Sequence, residues 1–322
     1  GKGNLETLYD FNGTTYITFG YAPEVVVERS IYFDGTSDYA DVDNKLNLNP
    51  TGFTISAWIK RDAADSGEKS IVSKRPTSFT EGYDFSILSD NRIQILWKNG
   101  SDQTLTSSTA IPDDEWHHVA ITYNGTTANL YIDGVLDTSG SKTAPISTDS
   151  AFLIAASGKG ATVQHFQGNI DEVRVWTTAL SDSELRFVMN QEIENNTGQV
   201  LGKSLPSSIT KNDINTVSWS DLAGYYPMSV FTYTNIKDAS GNNNDGALRN
   251  LDTVDKQTAP LPYESTQDGD WNTSSTWENG ASQTIPGTTS IVDSDTTVDW
   301  NIVKASHNVS LDNSSLPSGK ND

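Results

Sequence analysis

In FQGNIDEVRVW, residues 166–176, an acid heads an apolar row. Period-two alternation puts Asp171 on one face of a strand with Val173 and Val175, and Glu172 and Arg174 on the other. An isolated buried carboxylate is costly. Asp171 is therefore expected to be paired, protonated or metal-bound, or else to sit at a strand end against backbone N–H groups. Sugar binding asks for different residues, an exposed aromatic plate with hydrogen-bonding neighbours. Trp97, in RIQILWKNG, stands next to a loop tip beside Lys98 and Asn99, while Tyr83 and Phe79 sit at another loop. Trp97, Tyr83 and Asn99 are the candidate ligand-binding residues, with packing as the competing role of Trp97. Trp58 and Trp116 fall within strong strands and are expected in the core.

Other chemistries find less support. His117 and His118 are adjacent in a strand, point to opposite faces and cannot jointly chelate one ion; His165 and His307 have no recognisable partners. DASGNNNDG, 238–246, begins like a calcium loop. Asn243 stands where a glycine should allow the sharp turn and the terminal Glu is missing, so a turn between strands is expected. Retaining glycoside hydrolysis needs two close carboxyl groups, and neither E-x-D-x-x-E nor E-x-D-x-E occurs. No Gly-x-Ser-x-Gly elbow is present either. No catalytic residue is expected.

The elements that must position these residues read as short strands. Asn, Asp, Ser, Thr and Gly crowd the 322 residues, amphipathic helical repeats are rare, and the expected class is all-β. Hydrophobic content is 35%, low for a globular chain, and is offset in part by eight Trp, twelve Tyr and ten Phe. The net charge of −21 argues against a nucleic-acid partner and suits the attraction of divalent cations. No cysteine is present, so there is no disulfide framework, and no apolar run is long enough to span a membrane. No signal peptide opens the chain and no Met begins it; the ends are expected to be cut from something longer.

FTISAWIKR, 53–61, alternates strongly, and YDFSIL and RIQILWK follow, with a hairpin at Asn99-Gly100. EWHHVAITYNGTTANLYIDGVLD, 115–137, reads as an antiparallel meander turning at Asn124-Gly125 and Asp133-Gly134. Ser181 is placed as an N-cap with Glu184 closing a capping box, for a helix running to about 193. Periodicity weakens after NNTGQV, and TAPLPY reads as a linker. Boundaries are expected near 195 and 264.

SIYFDGTSDYADV, GFTISAWIK, IVSK, GYDFSIL, DDEWHHVAITYNGTTANLYIDGVLD and FQGNIDEVRVWTTALSDSEL, in that order, resemble the LamG-like jelly-roll family, one of the concanavalin A-like lectin and glucanase sandwiches. The resemblance covers residues 30–195 and implies two antiparallel sheets packed face to face, often with one calcium ion. It also supplies partners for Asp171: Asp34 and the Gly35 carbonyl of FDG, with Asp38 helping from the turn. One structural calcium joining these segments is the expectation. Residues 1–29 would be lead-in strands, and 196–263 a connecting segment in which LAGYYPM and DASGNNNDGALRN resemble truncated opening strands of another such module. DGDWNTSSTWENG, within 264–322, resembles the start of a small β-rich module in large secreted surface proteins of Bacteroidota. The implied function is a non-catalytic, extracellular binding or adhesion module at a bacterial cell surface. Its partner would be a glycan or surface protein, alongside other domains of the same large protein, with no membrane insertion. The alternatives are a polysaccharide-degrading enzyme or its carbohydrate-binding part, and a structural spacer.

Overall fold

The computed structural model describes residues 30–204, 213–229, 231–232, 235–251, 259–278, 288–289, 297–298 and 302–310. The expected lead-in strands in 1–29 lie outside these. The chain opens with β1 (Ile31–Asp34), β2 (Tyr39–Asp41), β3 (Phe53–Arg61), β4 (Lys69–Lys74), β5 (Tyr83–Ile87) and β6 (Arg92–Lys98). It continues through β7 (Asp102–Ala110), β8 (His117–Tyr123), β9 (Thr127–Ile132), β10 (Val135–Ser141), β11 (Phe152–Ile154), β12 (Gln167–Trp176) and α1 (Asp182–Met189). Then come β13 (Ile193–Asn196), β14 (Gln199–Gly202), β15 (Asp213–Ser218), β16 (Leu222–Tyr226), β17 (Phe231–Thr232), β18 (Asn235–Ile236) and β19 (Gly246–Arg249).

Two antiparallel sheets form the expected all-β, jelly-roll sandwich. One runs β1-β12-β3-β8-β9-β10, with β16 also on β12; the other runs β17-β18-β19-β2-β11-β4-β5-β6-β7. Alternation decides what faces inward. Phe53, Ile55, Ala57 and Ile59 of β3 meet Phe85, Ile93, Ile95, Phe152 and Ile154 in one buried core. The expected meander is present as β8-β9-β10, and Asp133 (φ 49°) and Gly134 (φ 74°) turn it with the paired positive φ of a tight hairpin. The free edges of β7 and β10 are tied by Asp137, whose carboxylate accepts Ser108 N at 2.5 Å and Thr109 N at 3.0 Å.

β12 departs from the alternation read in the sequence. Its register with β3 shifts between Asp171 and Arg174, and Glu172 takes φ 49°. This bulge inserts one extra residue and resets the parity. Ile170, Val173 and Val175 all lie in the core between the sheets, whereas Asp171 opposes Trp58 on the outer face. The expectation that Asp171 shares a face with Val173 and Val175 is thus corrected.

Ser181 caps α1 and the reciprocal capping box with Glu184 is formed. The helix stops at Met189 rather than near 193, because Ile193 already begins β13. α1 seals a second apolar cluster on the outer face, with Trp176, Leu185, Val188, Val200 and Tyr225. The expected boundary at 195 does not end the sandwich. β16 pairs with Val173–Trp176, β19 pairs with β2, and Tyr226, Met228, Ile236 and Leu248 belong to the main core. Nor does the polypeptide part from the sandwich near 264. Ala259, Tyr263 and Trp277 bury Trp58 and Trp116 in a third cluster on the outer face. Among the described residues no helix is long and apolar enough to cross a membrane.

Candidate functional site

Four connections gather polar and aromatic groups: 43–49, 75–82, 98–101 and 142–150. They are pinned from below by core side chains. Trp97 is fully buried, edge-on to Phe53 and Tyr123 at ring separations of 5.7 and 5.6 Å, and its Nε1 donates to Thr143 O at 2.8 Å. Tyr83 is buried too, and its hydroxyl donates to Leu46 O at 2.7 Å. Asn99, at the β6–β7 turn, donates from Nδ2 to Ala144 O at 2.5 Å. The residues expected to touch ligand are therefore the pegs of the loops. Neither Trp97 nor Tyr83 offers a ring face to solvent, because inward alternation of β5 and β6 places both in the core.

The exposed groups stand above these pegs. The half-buried ring of Phe79 has the Arg75 guanidinium 4.7 Å and the Lys98 ammonium 5.1 Å from its centroid. Arg75 is itself buried. Its Nε donates to Asp84 at 2.6 Å, its Nη1 to Pro76 O and Thr77 O at 3.1 Å each, and its Nη2 bonds Gln164. Burial pushes the Asp84 carboxyl up to about 6 against the pull of Arg75. Nearby, Glu81 Oε1 accepts Thr148 Oγ1 at 2.6 Å and Ser150 Oγ at 3.3 Å, and Thr148 N donates to Asn47 Oδ1 at 3.0 Å. Lys74 Nζ donates to Asn44 Oδ1 at 2.8 Å and bonds Ser150 O; desolvation pulls its ammonium down to about 8. Gly82 holds the 75–82 connection close to β4. It takes φ +81°, and a Cβ there would stand 1.8 Å from Lys74 O. Sequence reasoning missed Glu81, Thr148, Asn47 and Lys74, which come from separate connections and meet only through the fold.

The residues expected to share a calcium ion are not brought together. Asp34 pairs with Gln167, four residues from Asp171 on β12, or roughly 13 Å along the strand. The Asp34 carboxylate closes its own turn, accepting Thr36 N and Ser37 N at 2.8 Å and Asp38 N at 3.0 Å, and these bonds hold it well below the usual carboxylate range. Gly35 takes φ +74° to make that turn. Asp171 is buried and accepts Glu172 N at 2.9 Å and Ala259 N at 3.0 Å. Burial, and then the neighbouring Glu172 carboxylate, push its carboxyl well up. Glu172 is ion-paired with Arg174 and accepts Tyr225 Oη at 2.8 Å. Asp34, Gly35 and Asp171 thus do not fit one shared ion. Asp238 of DASGNNNDG accepts Tyr225 N and Ser240 N at 3.0 and 2.9 Å and Asn244 N at 3.0 Å, as a turn should.

With this geometry in place, residues 34–186 match the family model of the concanavalin A-like lectin/glucanases superfamily. That stretch is thus similar to the concanavalin A-like lectins and glucanases, and it covers just under half of the chain. Among solved structures, a Bacteroides ovatus protein described as a candidate carbohydrate-binding protein aligns with a TM-score of 0.50 and 18% identity, over 73% of this chain and 61% of that one. A heptameric SAP-like pentraxin from Limulus polyphemus aligns with a TM-score of 0.40 and 16% identity, over 50% of this chain and 81% of that one. A curated relative is a sushi, von Willebrand factor type A, EGF and pentraxin domain-containing protein of Rattus norvegicus, 27% identical over 153 residues. That match covers 42% of this chain and 4% of the relative.

The connections around Phe79 offer an apolar ring, a carboxylate, amide groups and hydroxyls within one end of the sandwich. Such a set suits a polyhydroxylated ligand, whose C–H face packs on a ring while its hydroxyls meet polar neighbours. Ile146, 52% exposed, adds an apolar side chain on the 142–150 connection.

Proposed function

We propose that this chain is a non-catalytic, extracellular binding module that recognises glycan through the connections around Phe79. The observation that carries the reading is the half-buried Phe79 ring, held near the Arg75 and Lys98 cations on a concanavalin A-like sandwich. Recognition would be weak per site and gain strength through multiple copies in a longer secreted protein of a bacterial cell surface. The test is a glycan array followed by calorimetric titration. The wild-type chain binds a subset of oligosaccharides, and Phe79→Ala weakens that binding about tenfold, near 1.4 kcal/mol, without moving the melting temperature. An array without hits, together with a tight protein pull-down, would transfer the reading to a structural or protein-docking module. Release of reducing sugar from a polysaccharide would transfer it to an enzyme.

A further inference from the structure

Lys74 is placed for chemistry that sugar binding does not use. It ends β4 with its side chain buried, and its Nζ donates to Asn44 Oδ1 at 2.8 Å and bonds Ser150 O. Burial pulls the ammonium down to about 8, against the opposing pull of Asp149 and Glu81. At mildly alkaline pH much of it is therefore neutral amine, a nucleophile. The two bonds use two of the three ammonium hydrogens, so loss of the third leaves both in place and puts a lone pair beside the Asn44 amide. On the other side of that amide, Asn44 Nδ2 donates to Asp149 Oδ1 at 3.1 Å. An amine, a carboxamide and a carboxylate thus meet in sequence, from β4 and the 43–49 and 142–150 connections. Holding amine and amide in contact replaces a bimolecular encounter by an intramolecular one.

We propose that Lys74 and Asn44 join in an intramolecular isopeptide bond, with Asp149 carrying the proton. The neutral Lys74 Nζ attacks Asn44 Cγ. As the Nζ–Cγ bond forms, the Asp149 carboxylate takes a proton from Nζ and passes it to Nδ2. The Cγ–Nδ2 bond then breaks and ammonia leaves. One primary amide becomes one secondary amide, and no oxidant, reductant or co-reactant is consumed. The bond fastens the 43–49 connection to β4. With it are held Leu46 O, which accepts the Tyr83 hydroxyl, and Asn47 Oδ1, which accepts Thr148 N. The end of the sandwich that carries Phe79 is thereby braced covalently in a chain that has no cysteine.

The experiment is intact-mass spectrometry of the full chain, incubated above the Lys74 value of about 8, followed by tandem mass spectrometry of a proteolytic digest. Wild type, Lys74→Ala, Asn44→Ala and Asp149→Ala are run side by side. Wild type is expected to weigh one ammonia less than its sequence and to yield a branched peptide joining Lys74 to Asn44. Lys74→Ala and Asn44→Ala are expected to keep the full mass; Asn44 is exposed, so replacing it leaves the core intact. Asp149→Ala is expected to form the bond about a hundredfold more slowly. A wild-type chain that stays at its full sequence mass would overturn the proposal. So would loss of ammonia without the branched peptide, which marks a succinimide at an asparagine such as Asn99, ahead of Gly100. An Asp149→Ala chain that cross-links at the wild-type rate would overturn the role of Asp149 and leave the bond standing.

Discussion

At the scale of single residues, burial reverses roles that side-chain type suggests. Trp97 and Asn99 were read at one loop tip and Tyr83 at another, and the fold sets all three beneath neighbouring connections. Which aromatic faces solvent depends on strand parity, and parity sends Trp97 and Tyr83 inward while leaving Phe79 on the loop. His118 shows the same dependence. It is fully buried beside Trp58, with ring centroids 5.5 Å apart, and neither ring nitrogen finds a hydrogen-bond partner. Burial, reinforced by Arg174, pulls the imidazole down to about 3 from 6.5. The folded chain therefore refuses a proton that the unfolded chain accepts. Stability contributed by the neutral ring is present above pH 6.5 and is lost as the pH falls toward 3, by up to about 1.4 kcal/mol per pH unit. His118→Leu, which leaves no buried polar atom wanting a partner, should flatten this acid limb and leave stability at pH 7.5 equal or higher. Thermal melts between pH 4 and 8 decide it, and an unchanged acid slope in the variant would reject the assignment.

At the scale of elements, the strands, hairpins and helix start were readable because each rests on local chemistry. Asn-Gly and Asp-Gly mark the turns, alternation marks β3, β6 and β8, and Ser181 with Glu184 marks the start of α1. The bulge at Glu172 was not readable. Nothing in NIDEVRV distinguishes a regular strand from one with an extra residue, and the positive φ falls on a residue type that seldom adopts it. Its consequence is large, since one inserted residue moves Asp171 from the core face to the outer face, where Ala259 N meets it. The helix cap makes a separate prediction. Ser181 N donates to Glu184 Oε2 at 2.7 Å and the Ser181 hydroxyl accepts Glu184 N in return. Because α1 closes the second apolar cluster, fraying at its start should be felt in the global melt. Ser181→Ala should cost about 1 kcal/mol in a urea titration with an unchanged m-value. A cost near zero would mean that packing of Leu185 and Val188 alone holds the helix.

At the scale of the whole molecule, the sandwich is larger than the stretch that carries its sequence signature. Matching motifs end with α1, yet β16 lies on β12 and β19 on β2, adding strands to both sheets from beyond it. Long-range pairing of this kind leaves little local trace. LAGYYPM and DASGNNNDGALRN looked like the beginning of something, and their side chains in fact finish the core already begun. Tyr226 stacks on Phe152 with ring centroids 6.4 Å apart, and its hydroxyl donates to Asn244 O at 2.7 Å. A chain stopped after 195 would leave Val173–Trp176 without its β16 partner, strip the β19 side of β2, and open the core where Tyr226, Met228, Ile236 and Leu248 close it. Unpaired strand edges and exposed apolar surface favour association over folding. Truncation after 195 should therefore give aggregates without a cooperative melt. Truncation after 251, which keeps β16 to β19 and removes Ala259, Tyr263 and Trp277, should melt cooperatively at a lowered temperature, with Trp58 and Trp116 newly exposed to quencher. Size-exclusion chromatography, circular dichroism and fluorescence quenching of the two truncations separate these outcomes. A monomeric, cooperatively folding chain ending at 195 would show that the late strands decorate the sandwich and do not complete it.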